Sequence, residues 1–184
     1  MRSPLTFFVA LALLGGCFSL PPGTPPDLSS PYNTLSHLVN SYVNLDDGGV
    51  DLILDDDFIF YFDEDDVGRD PGNGYRIPLE GWGRYSELIA TRNMFAEAER
   101  IEFDEFKLED MEPLPEGATF YTSGWIEYRF RHYYNEEDDK YIVSGHARFE
   151  LEKRGDDWLI TRWADLRQTD TEFSWGWLKA LYRL

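Results

Sequence analysis

The sequence predicts an α+β fold in which helices come first and a long-stranded antiparallel sheet follows. Three observations carry this. Leu35, Leu38, Val39 and Tyr42 recur at the i, i+3, i+4, i+7 spacing of an amphipathic helix. From residue 101 onward come four strand-like runs, at roughly 101–111, 118–134, 141–153 and 158–169. The stretches between them (EPLPEG, NEEDDK and RGDD) have turn chemistry. A chain of 184 residues suits one domain. With 42% hydrophobic and 16% aromatic residues it can build a real core.

The first element is not part of that domain. Arg2 gives a short positive start, and Leu5 to Leu14 is an apolar run. At 1.5 Å per residue, ten helical residues reach about 15 Å, half of a ~30 Å hydrocarbon core. The run therefore reads as the apolar part of a signal peptide over residues 1–16. Leu14-Gly15-Gly16-Cys17 follows, and Cys17 is the only cysteine in the chain. These four residues resemble the lipobox of bacterial lipoproteins. The resemblance implies cleavage before Cys17 and lipidation of its sulfur, which makes the membrane a partner through Cys17. Phe18, rather than Asp, implies the outer membrane of a bacterial cell envelope, facing the periplasm. Residues 17–30 then read as a lipidated cysteine and a stiff tether, because 18–30 holds four prolines, a glycine and three serines.

The folded domain is expected over 31–184. Ser30-Pro31 combines an N-cap with a first-turn proline. Asp46-Asp47-Gly48-Gly49 breaks the helix, and Val50 to Leu54 is a further short helical segment. The aromatic and β-branched run Phe58–Phe62 predicts a strand. Residues 63–78 read as a loop, and a second long helix is expected at about 81–97, with Trp82, Tyr85, Leu88, Ile89 and Phe95 on or near its apolar face. In the 118–134 run, Phe120, Ile126, Tyr128, Phe130, His132 and Tyr134 alternate with polar residues, which predicts one buried face. Residues 174–184, SWGWLKALYRL, predict a short helix at about 174–182. Two roles are open for it: a lid on the sheet or its mouth, or an exposed contact helix presenting Trp175, Trp177 and Leu181 to a partner or a bilayer.

LSHLVNSYVNLDDGGVDLILDDDFIFYF, WGRYSELIATRNMF and the terminal WLITRWADL stand in an order that resembles the nuclear-transport-factor-2-like (SnoaL/ketosteroid-isomerase-like) cone fold over about 31–169. The resemblance implies a cone-shaped, curved antiparallel sheet with N-terminal helices on its concave face. It also implies a pocket between them and a homodimer through the outer face of the sheet. Tyr42, Tyr128, His132 and Arg162 are the candidate pocket-lining residues. Members of this fold include enzymes, ligand binders and scaffolds.

Charge and motifs narrow the classes further. The formal charge is −18, so the surface repels phosphate backbones and nucleic acid is not an expected partner. A single cysteine excludes an internal disulfide framework and a multi-cysteine metal site. The acidic stretch 63–74 fails the calcium-loop template, since Val67 and Gly74 stand where oxygen ligands are needed. His37, His132 and His146 lack ligand spacing, and no cofactor is implied. His132 shares the apolar face of its strand and is the one histidine placed for acid–base work. Asp165 and Tyr128 could act as carboxylate base and oxyanion stabiliser, as in ketosteroid-isomerase-like sites. Strand phase decides this. If Trp158 and Ile160 face inward, strict alternation turns Arg162 inward and Asp165 outward, and a bulge would reverse both. The expected function is therefore a non-catalytic, membrane-anchored binder of a small apolar ligand or an envelope protein. The alternatives are a pocket acid–base enzyme and a structural assembly subunit.

Overall fold

Ser30 caps the first helix as its sequence predicts, accepting a hydrogen bond from the Asn33 amide at 3.2 Å. Helix α1 (Pro31–Val43) buries Leu35, Leu38 and Tyr42 on one face. Asp46 caps α2 (Asp47–Ile53) through the Gly49 amide. Strand β1 (Leu54–Tyr61) follows directly, starting earlier than its aromatic run suggests. The computed structural model describes residues 26–134, 139–168 and 173–184. The signal peptide, Cys17 and most of the tether lie outside them. Residues 26–30, expected in the tether, already belong to the domain: Leu28 is buried and its carbonyl accepts from the Trp158 amide at 2.8 Å.

A two-residue strand β2 (Trp82–Gly83) leads into helix α3 (Arg84–Glu97). The face that α3 buries is Glu87, Ala90, Thr91, Met94 and Phe95. Tyr85, expected on the apolar face, is exposed, and an acid takes an inner position instead. Strands β3 (Arg100–Phe106), β4 (Phe120–Tyr133), β5 (Lys140–Arg154) and β6 (Asp157–Arg167) complete a six-stranded sheet of order β2-β1-β6-β5-β4-β3. All neighbouring pairs are antiparallel except β1 with β6. The α+β cone predicted from the sequence is the fold observed, with helices against one face of the sheet and α4 (Trp175–Leu181) closing the chain.

Two bulges set which side chains enter the core. In β4, Thr122 pairs with Glu150 and Trp125 with Arg148, so β4 carries one extra residue around Ser123-Gly124. Gly124 sits at φ 73°, the left-handed region that glycine adopts without strain. The bulge puts Tyr121 and Ser123 inside and Phe120 outside, against strict alternation. In β6, Glu150 pairs with Arg162 and Leu151 with Ile160, so Thr161 is the extra residue. Trp158 and Ile160 precede that bulge on the inner face, and Trp163 and Asp165 follow it on the same face. Arg162 is thereby turned outward, where it pairs with Glu150 at 3.3 Å.

Candidate functional site

The inner face of the sheet and α1 form an aromatic chamber, and α4 fills it. The Trp175 ring is fully buried. Its centroid lies 4.5 Å from that of Trp163, 4.8 Å from Tyr42, 5.0 Å from Phe130 and 5.1 Å from Tyr128. The Trp163 and Tyr42 contacts are edge-on, at 90° and 89°, the geometry that ring quadrupoles favour. Close approach of the helix depends on Gly176: a Cβ there would stand 2.9 Å from Phe62 Cδ1 and 3.1 Å from Asp165 Oδ2.

Around this indole the polar contacts of α4 land on buried acceptors. The Trp175 amide donates to Tyr128 Oη at 2.9 Å, and the Gly176 amide donates to Asp165 Oδ2 at 2.6 Å. Tyr128 in turn donates to Asp165 Oδ1 at 2.6 Å. Ser174 Oγ donates to Asp66 Oδ2 at 2.8 Å while accepting from the Trp177 amide at 3.0 Å as the helix cap. At the far end Lys179 Nζ lies 2.6 Å from Glu87 Oε1, with both side chains fully buried. Glu87 also accepts from Trp82 Nε1 at 2.9 Å and Thr91 Oγ1 at 3.4 Å. The ammonium stands 3.3 Å from the Trp163 ring centroid and 4.2 Å from that of Phe60, a cation–π cage.

Burial governs the protonation of these groups. Desolvation raises the Asp165 carboxyl to about 6, opposed by the Tyr128 and Gly176 hydrogen bonds and the Lys179 charge. Desolvation lowers Lys179 to about 8, opposed by Glu87. Tyr128 is pushed well above its ordinary range by burial and by the neighbouring Asp165 charge. The arrangement can hold a proton on a carboxyl near neutrality and present a hydroxyl beside it, both shielded from water.

The structure brings together two of the four predicted lining residues at Trp175, namely Tyr42 and Tyr128. His132 is on the inner face as predicted but sits toward the other end of α4, 5.3 Å from Tyr182 between ring centroids. Its Nε2 is held 3.2 Å from the Met94 carbonyl oxygen, and burial lowers its pKa. Arg162 does not line the chamber, because the Thr161 bulge turns it to the opposite face. The tail helix is the lid of the two roles foreseen. Trp175 is not available as an outward contact, while Trp177 is half-buried between Arg69 and Arg167, whose guanidinium carbons lie 5.1 Å and 5.6 Å from its ring.

Sequence reasoning missed Glu87, Lys179, Ser174 and Asp66. Asp66 lies in the loop expected over 63–78, yet it is fully buried and pairs with Arg167 as well as Ser174. Two other acids of that loop accept from backbone amides: Asp63 from those of Asp65 and, on β6, Arg167, and Asp70 from those of Gly72, Asn73 and Gly74. Among the described residues no group of His, Cys, Asp or Glu is placed to hold a metal ion.

The fold is the nuclear-transport-factor-2-like cone. A candidate aromatic ring hydroxylase from Novosphingobium aromaticivorans superposes with a TM-score of 0.51 at 14% identity, covering 74% of this chain and 85% of its own. A Mycobacterium tuberculosis protein of unknown function also gives 0.51, at 13% identity, covering 82% and 81%. An NTF2-like protein from Anabaena variabilis gives 0.49 at 14% identity over 78% and 89%. At these identities the likeness concerns the fold. No family model matches the chain, and no curated protein matches it.

Proposed function

We propose that this protein is a lipid-anchored envelope protein whose cone domain is a binding module rather than a pocket enzyme. The observation that carries the binding reading is the chamber itself. It is lined by aromatic rings and buried acceptors, and a segment of the same chain satisfies them in the way a ligand would. A catalytic pocket has to admit substrate beside its acid and base, whereas Trp175 occupies the space beside Tyr128 and Asp165. The outer face of the sheet supports a protein contact, including a second copy: Phe120, Trp125 and Leu166 are exposed there, and Arg148 stacks over Trp125 at 5.1 Å.

The anchor rests on Leu14-Gly15-Gly16-Cys17. In a bacterial host, Cys17→Ser should abolish incorporation of labelled fatty acid and move the protein out of the membrane fraction. A wild-type chain that takes no label, with a variant that still sediments with membranes, would remove the lipoprotein reading. For the binding module, native mass spectrometry of the detergent-extracted protein should show a retained small molecule or a partner chain. A bare monomer under gentle extraction would count against it.

One observation favours a second reading, the acid–base enzyme. Tyr128 and Asp165 form a buried hydroxyl–carboxylate pair at 2.6 Å, the constellation that stabilises an oxyanion in isomerase-type chemistry. That reading requires α4 to leave before substrate arrives.

A further inference from the structure

The plug has a recognisable chemistry. Helix α4 puts into the chamber an indole, two amide donors and an ammonium. The Lys179 Nζ lies 5.4 Å from the Trp175 ring centroid, a separation that one short alkyl arm spans. The acceptors left behind on its removal would be Tyr128 Oη, Asp165 and Glu87, all within an aromatic enclosure. Buried carboxylates without donors are costly, so whatever replaces α4 must bring hydrogen-bond donors and positive charge as well as a flat ring. In the chamber wall, Trp163 Nε1 is buried beside the Trp175 ring without a hydrogen bond, whereas buried polar groups in native structures are nearly always paired.

We infer that the cone is a binding site for an arylalkylamine, and that α4 occupies it as the chain's own stand-in for that ligand. The inference rests on the binding reading above and deepens it by naming the class. Binding and α4 docking are then mutually exclusive, so the ligand acts by releasing a helix that carries Trp175, Trp177 and Leu178. Release exposes an apolar, aromatic segment close to the membrane to which the domain is tethered, which converts ligand occupancy into a change of surface.

The test uses the full chain and hydrogen exchange, with tryptamine as probe. Tryptamine should accelerate exchange of the Trp175 and Gly176 amides while β4, β5 and β6 keep their protection. Tryptophol, which has a hydroxyl in place of the amine, should need about tenfold or higher concentration, because it lacks a charge-assisted bond to a buried carboxylate. Indole-3-acetate should have no effect, since it brings a third carboxylate. Lys179→Met leaves Glu87 without its cation, so tryptamine should bind that variant about tenfold more tightly. If Lys179→Met does not fold, exchange on the unmodified chain decides alone. The inference is overturned if tryptamine leaves α4 exchange unchanged, if α4 exchanges only together with β4–β6, or if tryptophol matches tryptamine. A small molecule of another class retained in native mass spectra would sink the amine assignment and leave the binding reading standing.

Discussion

Glu87→Gln is the perturbation that most directly weighs the buried ion pair. Glu87 and Lys179 are 2.6 Å apart and both fully buried. Desolvation takes Lys179 from 10.5 to about 8 even with the acid in place. At about 1.36 kcal/mol per unit, the folded state disfavours the ammonium by about 3 kcal/mol relative to the unfolded chain. Glutamine keeps the shape and can still meet Trp82 and Thr91, but it withdraws the opposing charge. Removing one partner of a buried pair costs about 3–5 kcal/mol while the other stays charged. A lysine titrating at about 8 can instead give up its proton at pH 7 at the cost of about one pKa unit, so the loss expected at pH 7 is about 1–2 kcal/mol. The pH dependence follows from the sign. A lysine whose folded pKa is lowered carries its full penalty below that pKa, and the penalty disappears as pH rises toward the unfolded value. The cost of Glu87→Gln should therefore shrink as pH rises through about 8, and wild-type stability should itself climb between about 8 and 10.5. Urea unfolding followed by far-ultraviolet circular dichroism at pH 7 and 9.5 measures both quantities. A loss under about 1 kcal/mol at pH 7, or an equal loss at both pH values, would refute a charged, buried Lys179 compensated by Glu87.

Asp165→Asn isolates a second buried acid of the chamber. The folded pKa of Asp165 is raised to about 6 by desolvation, so its contribution is fully present below about 3.8 and is lost as pH rises through about 6. The difference curve of wild type minus variant, from urea titrations between pH 4 and 8, should fall by about 3 kcal/mol across that window; a flat difference would place Asp165 in contact with water. Gly145→Ala tests the space left for Tyr128. A Cβ there would stand 2.5 Å from Tyr128 Oη and 2.4 Å from the Leu166 carbonyl oxygen, and overpacking of this kind costs about 1–3 kcal/mol. Gly48→Ala, whose nearest neighbour atom is 3.4 Å away, is the control: it lies within helix α2, where alanine is favoured over glycine by about 0.5–1 kcal/mol, and should hold or slightly raise the thermal midpoint.

Much of the fold is legible because its signals are local. Ser30-Pro31, the α1 stripe and the turn chemistry between strands each act over a few residues, and each element they predict is present. The site is less legible because three decisions in it are tertiary. The Thr161 bulge exchanges the faces of Arg162 and Asp165, and a strand's own residues do not reveal when a partner strand will skip one. The β4 bulge had a readable signal, since Gly124 inside a strand marks a bulge or a close approach, and reading it would have moved Phe120 outward. Glu87 and Lys179 each resemble the charge of a solvated helix face. Only the fold shows that they lie on two helices meeting inside the cone, far apart along the chain.

Stability alone does not account for how α4 is held. Replacing a buried ion pair with well-packed apolar residues is often neutral or stabilising by about 1–4 kcal/mol, so a purely structural plug would gain by leucine or methionine at positions 87 and 179. What the polar contacts add is register. Trp175 and Gly176 reach Tyr128 and Asp165 only when Ser174 is at Asp66 and Lys179 is at Glu87. A slip by one residue would place a Cβ at the Gly176 position, 2.9 Å from Phe62 and 3.0 Å from Phe60, and would carry Lys179 away from Glu87. An apolar helix of this length would have several seats in an aromatic chamber at similar cost. These anchors leave one. A helix that is to leave the chamber and return needs a single seat, whereas a helix that never leaves does not need one so tightly defined. When α4 leaves, Glu87 loses its cation and an incoming ammonium can take that place, while Asp66 keeps Arg167, which limits the buried charge that undocking would strand.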